Sequence, residues 1–338
     1  MTPNRFVITC VLVGSSIVGL SGQRQHTTFE TASGSARDNE TTKLVRLLGR
    51  NAIWKHVATI PADWQTFHTQ GLVKIGDTFF VSAVEVLTNR VFTGIVTDAL
   101  YDFSIDRSPG TGRAWLFKFD GSGHLLGQIE LTDGAKYHPG GIDYDGEYIW
   151  VPVAEYRPNS ASNIYRVDPA TLTAELMFTE KDHIGGIVHN QHRGTFHGVS
   201  WGSRRLYTWN ATHSGDSPKV VSSDWTPNRA FYIDYQDCHY QGVELMLCGG
   251  VVGYSTPLGG IALGGLELVN LRTAQPDHQV PVNLFIDEGN GPNPGLALTH
   301  NAFWIEPLGN GKLRGYFMTE SDNQSDLIVY DITPWVNR

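Results

Sequence analysis

The stretch Tyr137-His-Pro-Gly-Gly-Ile-Asp-Tyr-Asp-Gly-Glu-Tyr-Ile-Trp-Val-Pro-Val-Ala-Glu155 decides the reading of the fold. It runs from a histidine and a Gly-Gly pair through Asp143-Tyr-Asp-Gly146 into the apolar segment 149–154. An Asp-Gly turn between two short apolar segments reads as a β-hairpin. Asp143-Tyr-Asp-Gly146 also resembles part of a Ca²⁺ loop, but it is too short for an EF-hand and reads as turn chemistry.

The same start recurs along the chain. Aligned on histidine, the sequence gives His68-Thr-Gln-Gly71-Leu72, His138-Pro-Gly-Gly141-Ile142, His197-Gly-Val-Ser200-Trp201, His239-Tyr-Gln-Gly242-Val243 and His300-Asn-Ala-Phe303-Trp304, spaced 70, 59, 42 and 61 residues apart. Each interval can hold one four-stranded sheet. Downstream, 115–121, 164–169, 231–235, 266–270 and 327–331 are apolar runs that end at a turn. Repeats of this size predict an all-β β-propeller, with five blades as the expectation. Six blades is the alternative, because Gly185-Gly186-Ile187 can open an extra unit. The lone strand 54–61 is expected to complete the last blade beside 327–332, which closes the ring and protects its edges.

Composition agrees. Of 338 residues, 37 are glycine, 11% are aromatic and only 17% are charged. That composition suits short strands and turns and argues against coiled coils and disorder. A net charge of -9 with no basic run argues against nucleic acid as a partner. The first 22 residues, with Arg5 ahead of an apolar stretch from Phe6 to Leu20, read as a signal peptide. Residues 23–45 read as a disordered leader, and 46–338 as one propeller domain with no stable membrane span. The expected location is the secretory pathway. Asn39, Asn210 and Asn323 head glycosylation sequons. Cys238 and Cys248 remain after signal removal, and a disulfide and two buried thiols both fit.

The candidate site follows from strand direction. The start of each innermost strand and the end of the next lie at one channel mouth. Seventeen residues after His68 and His138 stand Glu85 and Glu155, and Glu320 stands twenty after His300. His68, His138, His197, His239, His300, Glu85, Glu155 and Glu320 are therefore the expected acid–base residues. Crowded ionisable groups perturb one another's pKa, although repeats also keep similar residues for packing. Gln70, Tyr156, Gln241 and Trp304 are candidate substrate contacts, as are Tyr101 and Phe103 of the long connection 86–112. That connection reads either as a lid over an apolar cavity or as an extra strand.

On the run 137–155, with Ile164-Tyr-Arg-Val-Asp-Pro169 and Tyr235-Gln-Asp-Cys238, the chain resembles a family of secreted propeller-like proteins of unassigned function from fungi and bacteria. Within it, the sequence looks similar to fungal hetero-Diels–Alderases of tropolone–sesquiterpene meroterpenoid biosynthesis. The likeness spans about residues 50–338 and brings no catalytic signature to carry over. It implies a cofactor-free pericyclase with hydrophobic small-molecule substrates. Such an enzyme assists water loss from a tropolone precursor, then adds the ortho-quinone methide to a humulene-type alkene. Two other classes stay open. One is a metal-dependent hydrolase or oxygenase using the His/Glu cluster, and the other is a non-catalytic binding module. The residues set out no dedicated metal site, and P-loop, dinucleotide, H-E-x-x-H and G-x-S-x-G motifs are missing.

Overall fold

Five four-stranded antiparallel sheets follow one another along the chain in the computed structural model. It describes residues 39–98, 101–214, 217–229, 232–256, 259–286, 295–319 and 324–334, with side chains except at 95–106, 213–218 and 255–259. The first blade is built from His68–Ile75, Thr78–Thr88, Thr111–Asp120 and Leu125–Glu130. The second uses Lys136–Pro139, Ile149–Glu155, Ser162–Val167 and Ala174–Glu180, with Asp143–Tyr144 continuing its inner edge. The third runs from Ile184–Asn190 through Thr195–Ser200 and Arg205–Ser214 to Ser217–Pro227. The fourth runs from Asp234–Tyr240 through Leu245–Thr256 and Gly259–Asn270 to Gln275–Val282.

The fifth blade closes the ring. Ala302–Gly309, Lys312–Met318 and Leu327–Thr333 supply its inner three strands, and Ile53–Ile60 pairs antiparallel with the last, from Ile53 opposite Thr333 to Ile60 opposite Leu327. The expected five-bladed propeller and its closing strand are thus both present. The fold begins earlier than expected, however. Asn39 caps a helix, Glu40–Val45, by accepting from the Thr42 backbone N–H at 2.8 Å. Leu44, Val45 and Leu48 then bury against Leu247, Phe303 and Phe317, so residues 39–45 belong to the packed structure. The signal-peptide assignment lies outside the described residues.

Blades pack face to face through apolar side chains. Val73, Phe80 and Leu116 of the first meet Ile142, Ile149 and Val151 of the second. Trp150 and Ile164 of the second meet Ile187, Phe196 and Trp209 of the third. Each fully buried side chain of this size contributes about 1.5–3 kcal/mol.

Near the axis the backbones are too close for most side chains. A Cβ on Gly71 would lie 2.5 Å from Ile142 N, and one on Gly141 would lie 2.7 Å from the Asp237 Cα. Only glycine permits that approach. Asp237 fills the crowded centre with a carboxylate instead. It accepts from the backbone N–H of Leu72 at 2.9 Å, Ile142 at 3.1 Å and Phe303 at 3.2 Å, tying together three other blades. Cys238 and Cys248, directly opposite on adjacent strands, form a disulfide.

Candidate functional site

A cavity of about 350 Å³ opens at the end of the channel where the innermost strands begin. His68, His138 and His300 line it as expected. Two of the other expected histidines lie elsewhere. His197 sits in the second strand of its blade, between Thr195 and Thr208 hydroxyls at 3.0 and 3.1 Å. His239 lies toward the far end of its inner strand, with Nε2 3.3 Å from Asp237 Oδ2 and 2.8 Å from the Phe303 carbonyl. Alignment on histidine alone put the third and fourth blades out of register.

His183 occupies the place assigned to His197, directly before the inner strand Ile184–Asn190. The sequence carried a signal for it. His183-Ile-Gly-Gly186-Ile187 repeats the spacing of His138-Pro-Gly-Gly141-Ile142. The register shifts between Thr69 and Gly71, Ile184 and Gly186, and Tyr235 and Asp237. These bulges leave Gln70, Gly185 and Gln236 in the cavity wall. Two residues before Gln236 the fourth blade has Asp234 in place of a histidine, held by Arg204 at 2.7 Å.

The connections between second and third strands complete the mouth. They bring Arg90, Tyr156 and Trp201 into the wall. His138 packs at a tilt on Tyr156 with centroids 3.9 Å apart, lies 5.3 Å from His183 and 6.4 Å from His68. His183 in turn meets Trp201 edge-on at 4.8 Å. The long connection of the first blade forms its own hairpin, Phe92–Asp98 with Tyr101–Arg107, separate from the blade sheet. The side chains of Tyr101 and Phe103 lie outside the described ones. The wall is more polar than an apolar cavity beneath a lid would be, because the bulges supply Gln70 and Gln236 beside the histidines.

The expected carboxylates do not join the histidines. Glu85 is absorbed on its own sheet, accepting from Trp115 Nε1 at 3.0 Å and facing Arg113 at 3.4 Å. The Glu155 carboxylate pairs with Arg157 at 2.7 Å. Its backbone carbonyl enters the site instead, 2.8 Å from His183 Nδ1. Glu320 lies outside the described residues. Of the expected contacts, Gln70 and Tyr156 line the cavity. Gln241 lies past the far end of its strand, where it accepts from Asn39 Nδ2 at 3.3 Å, and Trp304 packs edge-on against His239 at 4.9 Å. Asn210 is exposed with its amide bonded to Ser222, and Asn323 lies outside the described residues.

Electrostatics separates the histidines by place. Burial pushes His138 well below its ordinary value, and the charges of His183, His68, Arg90 and Arg107 add to that. Burial likewise takes His183 down to about 4. Both are neutral at pH 7. A neutral His183 that donates from Nδ1 to the Glu155 carbonyl keeps Nε2 as an acceptor. His138 Nδ1 is buried with no hydrogen-bond partner among the described residues. Burial opposes charge on His239 too, yet the Asp237 carboxylate, with Asp143 beyond it, holds that imidazole up at about 10. His239 therefore belongs to the structural centre. Among the described residues, no group of three or more His, Cys, Asp or Glu is arranged to hold a metal ion.

A protein-family model described as a family of unknown function, DUF6454, matches residues 30–334. The chain belongs to that family. No curated protein matches it. Solved structures similar to this family member include the tail fiber of Staphylococcus aureus phage P68, at 11% identity and a TM-score of 0.44, covering 87% of this chain. The chain spans 56% of that fiber. An alpha-L-arabinofuranosidase from Clostridium thermocellum matches at 9% identity and a TM-score of 0.40, over 83% of this chain and 95% of its own. A hypothetical protein from Leishmania major matches at 8% identity and a TM-score of 0.41, over 81% and 90%. Likeness at this level carries no argument about chemistry. The comparisons give the family and do not extend to the narrower likeness to hetero-Diels–Alderases.

Proposed function

We propose that the cavity at the channel mouth is a cofactor-free active site that moves protons on a hydroxylated small molecule. The observation that carries this reading is the pair His138 and His183, buried, neutral and 5.3 Å apart between ring centroids at the cavity wall. A neutral imidazole accepts a proton on its bare nitrogen, and the imidazolium so formed gives one up as an acid, so the pair can carry a proton and return to neutrality. His183 has its donor fixed on a carbonyl and its Nε2 available as base. Tyr156 fixes the plane of His138 from one face.

The reaction implied by the resemblance is the specific form of this proposal. One imidazole takes the proton of a ring hydroxyl on a tropolone precursor. The proton it gains is handed through the other imidazole to the departing hydroxyl, the C–O bond breaks, water leaves an ortho-quinone methide, and both rings end neutral. Addition of that diene to a humulene-type alkene needs no further proton. It needs both partners held in register, for which effective molarity supplies about 7–11 kcal/mol.

The test is product formation from the precursor and the alkene by the full chain, with His138→Gln and His183→Gln compared at equal folded concentration. A loss of about 10²–10⁴-fold in turnover is expected for each, the usual contribution of general acid–base groups. Unchanged turnover in both variants overturns the acid–base reading. Absence of product with the wild-type chain overturns the specific reaction.

A further inference from the structure

Four described carboxylates around the cavity mouth are already paired. Asp234 pairs with Arg204 at 2.7 Å and Asp182 with Arg205 at 2.8 Å. Glu155 pairs with Arg157 at 2.7 Å and Glu85 faces Arg113 at 3.4 Å. Arg90 and Arg107 are the exceptions on the cationic side. No carboxylate of the described residues lies within ion-pair reach of either. Arg90 sits over the Tyr156 ring at 3.5 Å and Arg107 over the Trp201 ring at 4.6 Å. The two rings are 6.0 Å apart. Both arginines line a second cavity of about 280 Å³, and Arg90 also lines the first.

Arg107 Nε is buried and has no hydrogen-bond partner among the described residues. Burial lowers the Arg107 pKa, and the charge of Arg90 lowers it further. Two guanidiniums held near each other, half shielded and without a counter-charge among the described side chains, repel one another until an anion arrives. Stacking on aromatic faces holds a guanidinium in place while its N–H edge stays open to a ligand.

We propose that Arg90 and Arg107 form a subsite for an organic oxyanion: a carboxylate, phenolate or enolate on the substrate that His138 and His183 act upon. This deepens the proposed function and rests on its placement of the active site. Paired oxygens suit the forked guanidinium edge, which a carboxylate or an adjacent ketone and enolate can meet with two bonds. The organic part of the ligand extends from the arginines into the larger cavity beside the histidines.

The test measures equilibrium binding of salicylate to the full chain by calorimetry, with salicylamide and inorganic phosphate as controls. Salicylate is expected to bind saturably and to weaken as salt rises, and salicylamide to bind at least about tenfold more weakly. Arg107→Gln and Arg90→Gln are each expected to cost about tenfold or more in salicylate affinity, and Arg107→Lys less. Equal binding of salicylate and salicylamide, no saturable salicylate binding, or unchanged affinity in both glutamine variants overturns the subsite. Phosphate binding as tightly as salicylate overturns the organic class. If the variants do not fold, the salicylate–salicylamide comparison on the wild type still decides. The assay needs no turnover. Salicylate binding kept in His138→Gln with unchanged turnover removes the acid–base reading alone. Salicylate binding absent beside a strong His138→Gln defect in turnover removes the subsite alone.

Discussion

The His138 ring lies 3.9 Å, centroid to centroid, from Tyr156, and the same tyrosine carries the Arg90 guanidinium at 3.5 Å. One side chain from a connecting loop thus orients both a candidate proton-transfer group and a candidate anion-binding group. Tyr156→Ala should lower turnover by about tenfold to a hundredfold, since stacking and cation–π contacts of this kind contribute about 1–3 kcal/mol together. The expected melting temperature changes little, because Tyr156 lies on the mouth. A large stability loss with normal activity per folded molecule would make it a packing residue only.

Stability should fall on both sides of pH 6.5. His239 is raised to about 10 in the fold, so the stability it brings is complete below 6.5 and drains away as pH rises toward 10. His183 and His197 are lowered to about 4, so their neutral forms favour the fold above 6.5, and that contribution is lost as pH falls through 4. Melting temperature against pH for the wild type, His239→Gln and His197→Gln separates the limbs. The first variant should flatten the alkaline side and the second the acid side.

Asp237 is the central tie of the ring, accepting three backbone N–H groups from three other blades beside a charged His239. Asp237→Ala leaves those donors and a buried imidazolium without their partner. A loss of about 3–5 kcal/mol in chemical denaturation is expected. A loss below about 1 kcal/mol would show that water replaces the carboxylate at no cost.

Closure makes a further prediction. Ile53–Ile60 is the outer strand of a blade whose other three come from the opposite end of the chain. Removing residues 39–60 takes away this strand and the helix packed beneath the same blade. The truncated chain should melt at a much lower temperature or aggregate through the exposed edge. A soluble truncation with wild-type melting would contradict the closure.

The repeat was legible because each blade must solve the same problem at the axis. The glycine approach at Gly71 and Gly141 leaves a spaced Gly signature that survives in sequence. The closing strand was legible because one segment at each end lacked a partner. The third blade's histidine was harder to read, because His183 and His197 both precede small residues and only the Gly-Gly pair separates them. The carboxylates were misplaced for a different reason. Counting along a strand fixes the end at which a residue lies but not which way its side chain turns. Glu85 and Glu155 reach the right end and then pair with Trp115, Arg113 and Arg157 on their own sheets. Arg90, Arg107 and Trp201 come from connections, where no periodicity announces a role.

The most direct test of the account is the rate of quinone-methide formation from a hydroxylated tropolone precursor without the alkene, trapped by an added thiol. This isolates proton transfer from cycloaddition. The account predicts trapping accelerated by the wild-type chain, lowered about 10²–10⁴-fold in His138→Gln and His183→Gln, with an acid limb near the His183 value of about 4. Trapping at equal rates in the wild type and both variants would contradict it.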